Sequence, residues 1–154
     1  MILYFSRSGK TQAFAQALHD ILGLPLYRLE SELGGLKKLR FFVTVVSRMM
    51  SRKPTPVTNM PPEPLPAEIW LCGPVWAGDA ALPLQHFLQQ ATLRGVTVNL
   101  LLTAAQPDEK YRKQGHKLLA ATACTPGEVL LFATRGEPDM PTITEQLRDM
   151  LPPQ

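Results

Sequence analysis

Cysteine is scarce in this sequence. Cys72 and Cys124 are the two among 154 residues, and they stand in unrelated contexts without metal-ligand spacing, so neither a disulfide framework nor a thiolate metal site is written here. Long apolar runs are missing as well: the longest, 41–46, is interrupted by Thr44, too short for a membrane span. Glycine is absent where dinucleotide loops need it, since Gly9 is the only one before Gly23. Acidic residues are absent from the whole stretch between Glu32 and Glu63, which holds six basic ones: Lys37, Lys38, Arg40, Arg48, Arg52 and Lys53. The formal charge is +3, so the remainder carries ten basic against thirteen acidic residues, a net of −3. The basicity is local, and a chain-wide nucleic-acid binder is not what this distribution describes. No basic leader precedes the apolar run 2–5, and a reduced, cytoplasmic setting is the expectation.

What is present is ordinary for a globular protein, 45% hydrophobic and 19% charged, with room for one domain over residues 1–154. Short apolar runs at 2–5, 24–29, 69–72, 96–102 and 129–133 read as strands. Between them, 11–22, 82–91, 110–121 and 142–151 carry helical spacing, and Gly23 stops the first of these. Leu36, Leu39, Val43, Val46 and Met50 recur at helical intervals and predict a further helix. That stripe is expected to pack on the sheet, leaving Lys37, Lys38, Arg40, Arg48 and Arg52 outside, although Phe41, Phe42 and Val45 widen the apolar sector. Six prolines in 54–66 predict an extended connector. Five strands apolar on both faces, alternating with helices, predict an α/β fold with a parallel sheet covered on both sides.

In such a sheet ligands sit beyond the carboxyl ends of the strands, which singles out three loops. The first, Ser6-Arg7-Ser8-Gly9-Lys10-Thr11, ends like a nucleoside-triphosphate loop, but the glycine required five positions before Gly9 is Tyr4. No aspartate closes a later apolar strand to hold magnesium; Pro74, Thr103 and Thr134 stand there instead. A short hydroxyl-rich loop entering a helix still suits one terminal phosphate, with Ser6, Ser8 and Thr11 as donors beside the free helix amides. Plain capping of that helix by Ser8 is the alternative. The second loop, Gly73-Pro74-Val75-Trp76-Ala77-Gly78-Asp79, sets an indole where it either covers a flat ligand or packs on the next helix. His19, His86 and His116 are scattered and read as surface residues, Cys72 reads as a small buried hydrophobe, and Glu30 and Glu32 read as a solvated edge.

The segment YFSRSGKT resembles the phosphate loop of the flavodoxin family, serine-x-serine/threonine-glycine-x-threonine directly after the first strand. IWLCGPVWAGDAALPLQHFL resembles that superfamily's third strand, flavin-facing loop and following helix. The resemblance implies a three-layer sandwich with a five-stranded parallel sheet in the order 2-1-3-4-5, and FMN at the switch point. It implies that Ser6, Arg7, Ser8, Gly9, Lys10 and Thr11 hold the phosphate and that Pro74, Val75, Trp76, Ala77 and Gly78 line the ring. The third loop, residues 103–108, departs from the family in having neither glycine nor an aromatic; there Thr103 and Gln106 are the candidate contacts, Gln106 for the pyrimidine edge. The expected function is FMN-dependent electron transfer or simple reduction, toward a redox partner protein or a small-molecule acceptor. A flavin-free interaction module on the same fold is the alternative. No nucleic-acid partner is expected, and residues 36–53 are a candidate contact for an acidic partner or an anionic membrane.

Overall fold

The structure, a computed structural model, describes residues 1–51, 55–136 and 139–151. Strands β1 (Ile2–Tyr4), β2 (Leu26–Arg28), β3 (Glu68–Trp76), β5 (Thr97–Ala104) and β6 (Thr125–Ala133) form a parallel sheet in the order β2-β1-β3-β5-β6. With β5 and β6 as the fourth and fifth parallel strands, this is the expected order. Helices α1 (Lys10–Leu22), α2 (Lys38–Ser51), α3 (Leu82–Gln90), α4 (Glu109–Ala120) and α5 (Met140–Met150) alternate with the strands. Among the described residues no helix is long and apolar enough to cross a membrane.

Side chains alternate across each strand, and this divides the core in two. Ile2, Tyr4, Trp70, Cys72, Leu101, Leu130 and Phe132 face α1 and α5, where Phe14, Leu18, Ile143 and Leu147 complete one layer. Leu3, Phe5, Ile69, Leu71, Leu100, Leu102 and Val129 face the other side, beneath Leu84 and Phe87 of α3 and Leu119 of α4. That double burial is why the central strands are apolar on both faces over 69–72 and 100–102. The register is interrupted once, between Val98 and Leu100. There the buried Asn99 uses both ends of its amide, accepting from the Glu128 amide at 2.8 Å and donating to Glu68 Oε1 at 2.7 Å.

Three expectations need correction. The sheet has six strands: β4 (Asp79–Ala80) folds back antiparallel on the end of β3, pairing Asp79 with Trp76 and Ala80 with Val75. Residues 74–76 therefore belong to a strand rather than a loop. Ala77 (φ 49°) and Gly78 (φ 92°) make the reversal, both left-handed as a tight hairpin turn demands.

The second correction concerns α2. Its period is as predicted but its orientation is reversed: Leu39, Val43 and Met50 are exposed, Leu36 and Val46 are half-buried, and Val45 is the one buried residue of the helix. The reason lies in the connector. Val57, Met60 and Leu65 already pack on the layer formed by Leu3, Phe5 and Leu29. What remains for α2 is an inward edge of Phe41, Val45 and Arg48, one residue per turn. Arg48, expected outside, bonds Thr55 Oγ1 at 3.2 Å and pairs with Glu32, which is therefore more than a solvated edge.

The third correction is to His86, which is half-buried, its Nδ1 accepting the Val57 amide at 3.1 Å. Residues 55–66 contain neither helix nor strand, apart from the antiparallel bridge of Val57 to Ser31, and Pro54 lies outside the described residues.

Candidate functional site

The turn from β1 into α1 is built around Gly9, in the left-handed region at φ 86°. Its amide donates to the Ser6 hydroxyl at 3.0 Å, and its carbonyl accepts from the Ala13 amide at 3.2 Å as the helix begins. The amides of Lys10, Thr11 and Gln12 precede that first helical bond, and no side chain caps the helix. Capping by Ser8 is thus not observed; Ser8 is exposed beside the open end. The contrast with α4 and α5 is direct, since Asp108 and Asp139 cap those helices by accepting the Lys110 and Thr142 amides. The Lys110 amide and ammonium hold the Asp108 carboxyl below its ordinary range, and the Thr142 hydroxyl and amide do the same for Asp139. In the 103–108 loop, then, Asp108 serves the start of α4.

The other predicted donors are already engaged. Ser6 is buried with its hydroxyl on Gly9. Thr11 Oγ1 lies 2.8 Å from Thr103 Oγ1, both buried, joining α1 to β5. Two hydroxyls sharing one hydrogen bond keep one proton in hand, whichever of them donates. Lys10 Nζ reaches the Thr134 carbonyl at 3.4 Å. Arg7 turns away from the helix end: its Nη2 donates to the Leu36 carbonyl at 2.8 Å, and its guanidinium lies 4.0 Å over the Phe41 ring. Arg7 Nε is buried and has no hydrogen-bond partner among the described residues.

Trp76 stands half-buried between two rings, edge-to-face with Phe5 at 5.5 Å and with Phe41 at 4.8 Å. The indole wall is thereby fixed from β1 on one side and from α2 on the other.

These pieces meet in one cleft of about 190 Å³ at the carboxyl ends of β1, β3 and β5. Of the predicted site residues it gathers Arg7, Ser8, Lys10, Thr11, Pro74, Val75, Trp76 and Thr103. Ala77, Gly78 and Gln106 line an adjoining hollow of about 310 Å³ that shares Val75, Ala104 and Ala105 with the first. Gly9 lines a third hollow with Ser8 and Lys10 on the α1–α5 side, while Ser6 lies buried behind the loop. Among the described residues no carboxylate lines the cleft. Among the described residues no group of three or more His, Cys, Asp or Glu is placed to hold a metal.

Sequence reasoning missed Phe41 and Thr134 in the cleft, and Tyr111 and Arg135 in the hollow. Phe41 left a trace as an apolar residue outside the predicted stripe, and Thr134 as the residue after the last strand. Tyr111 and Arg135 left none.

No protein-family model matches the chain, and no curated protein matches it in sequence. Solved structures do. A candidate flavoprotein from Bacteroides uniformis superposes with a TM-score of 0.77 over 96% of each chain, at 15% identity. A second, from Bacteroides eggerthii, gives 0.72 at 17% identity over 97% of this chain and 95% of its own. A flavoprotein from Lactobacillus acidophilus, solved in complex with FMN, gives 0.64 at 20% identity over 84% and 90%. With its parallel sheet in flavodoxin order, helices on both faces and a cleft at the strand ends, this chain has a flavodoxin-like fold.

Proposed function

We propose that this protein binds FMN in the cleft and acts as a flavodoxin-like redox protein, passing electrons to a partner protein or to a small-molecule acceptor. The observation that carries the reading is the uncapped start of α1, whose open amides stand where Lys10, Thr11 and the exposed Ser8 line a cleft that has no carboxylate among the described residues. The residues fit the group. A terminal phosphate needs several N–H donors and a favourable dipole, and glycine at the cap position leaves those donors open. A planar ring needs an apolar slot, which Pro74, Val75, Trp76, Ala104 and Ala105 provide. The FMN complex of the Lactobacillus acidophilus protein, which shares the fold, supports the choice of flavin.

FMN, when bound, supplies one- and two-electron transfer at its ring. The chain's own part is placement and electrostatics. The α1 amides and Lys10 favour the dianionic phosphate, and the Thr11–Thr103 pair holds the helix start against β5. Phe5 and Phe41 keep Trp76 from rotating away from the slot. At the far end Gln106, Tyr111 and Arg135 offer polar groups for the ring's oxygen- and nitrogen-bearing edge.

The test compares FMN with riboflavin by equilibrium titration. FMN is expected to bind more tightly, and Ser8→Ala to weaken FMN about tenfold or more, as the loss of one hydrogen bond to a charged group implies. Riboflavin affinity should barely change in that variant. Equal losses for both ligands reject the phosphate assignment, and no binding of either leaves the flavin-free module.

A further inference from the structure

Helix α2 has two apolar faces, and only one is used inside the molecule. Phe41 and Val45 turn inward, while Leu39, Phe42, Val43 and Met50 stand exposed at 78, 65, 58 and 83%. With the half-buried Val46 they form one stripe along the helix at 3.6 residues per turn, and an open apolar groove follows it past Ser47 and Ser51. Single exposed apolar residues are normal on any protein; a continuous stripe of them marks an interaction surface. At the same helical period Lys38 and Arg40 flank the stripe, one on each side, and Lys37 stands just before the helix, all three exposed. No carboxylate lies between Glu32 and Glu63 to neutralise them.

We propose that this outer face of α2 docks on an anionic phospholipid surface, the helix lying in the plane of the interface. The charge pattern selects that occupant. A second copy meeting this face through its own α2 would offer Lys37, Lys38 and Arg40 no acid from that segment to pair with, whichever way the two helices run. A phospholipid surface satisfies both halves of the pattern. The apolar stripe enters the acyl boundary, and the flanking lysine and arginine stems reach back to the phosphates. The stripe and the groove beside it offer almost no hydrogen-bonding side chains beyond Ser47 and Ser51, which suits a fluid apolar layer better than a structured acidic protein. Because Phe41 on the inner face of the same helix forms part of the cleft wall, docking sets the cleft beside the lipid surface.

The full-length protein, without added flavin, is sedimented with vesicles of phosphatidylcholine alone and with vesicles also containing phosphatidylserine. Binding is expected to the anionic vesicles only and to fall as salt is raised. Lys37→Glu, Lys38→Glu and Arg40→Glu together should weaken it at least about a hundredfold, given roughly fivefold per basic residue lost at such a surface. Phe42→Ser with Val43→Ser should abolish it, and since both side chains are exposed, the melting temperature should not move. Several results overturn the proposal: no binding at low salt, equal binding to neutral vesicles, or binding unaffected by both variants. Self-association of the unmodified protein that the serine pair abolishes overturns it in favour of a second copy. Salt-sensitive capture on an acidic polypeptide without vesicle binding overturns it in favour of an acidic protein. None of these readouts depends on flavin, so this proposal and the FMN reading can fail separately.

Discussion

His86 shows how a single residue ties distant segments together. It lies on α3, and its Nδ1 accepts the amide of Val57 from the proline-rich connector. Burial disfavours the charged ring, so the pKa is lowered, and the bond to Val57 needs the neutral form with its proton on Nε2. The sign follows from linkage. The folded protein releases the His86 proton more readily than the unfolded chain, so this contribution is fully present above about pH 6.5, the unfolded value. It is lost as pH falls through the lower folded value. Melting temperatures of the unmodified protein should therefore decline on acidification below about pH 6.5. In His86→Asn, where the amide oxygen can accept from Val57 without titrating, the decline should be shallower. Identical profiles for the two proteins would remove His86 from the account.

At the scale of elements, helical and strand periods were readable because each is a local pattern, and so was the loop from Ser6 to Thr11, which is contiguous. The orientation of α2 was not. Its sequence offers two apolar edges, 39/43/46/50 and 41/45, and the choice is made by partners outside the helix: Trp76, distant in the chain, against Phe41, and Thr55, in the connector just beyond, against Arg48. The β4 hairpin was hidden for a different reason, because Ala77 adopts a positive φ without the asparagine that usually announces it. Phe41 and Thr134 join the site only through tertiary folding, from α2 and from the end of β6. Close packing between β3 and α3 can be probed at Gly73, where an added Cβ would run into the Leu84 side chain beneath the cleft. Gly73→Ala should destabilise the protein by about 1–3 kcal/mol, the usual result of overpacking. Urea unfolding measures it, and a midpoint equal to that of the unmodified protein would mean that Leu84 moves aside freely.

Across the whole molecule, the site joins parts that are otherwise held by separate layers. The loops after β1, β5 and β6 and the end of β3 meet at the cleft together with α2, which buries little else. A ligand that contacts all of them and binds the native state alone stabilises the fold through mass action, by an amount that rises with the logarithm of its concentration relative to its dissociation constant. At a concentration one hundred times its dissociation constant, FMN should add about 2.7 kcal/mol. For a chain of this size that corresponds to a rise in melting temperature of about 5–11 °C. Riboflavin at the same concentration should give a smaller rise, because it leaves the open amides of α1 without an anion. Thermal unfolding followed by circular dichroism, at graded FMN and riboflavin concentrations, separates the two ligands. Ser8→Ala should bring the FMN curve toward the riboflavin curve while leaving the unliganded melting temperature unchanged, since Ser8 is exposed and caps nothing. A melting temperature indifferent to FMN at every concentration would show that the cleft, open amides and all, serves something other than a flavin.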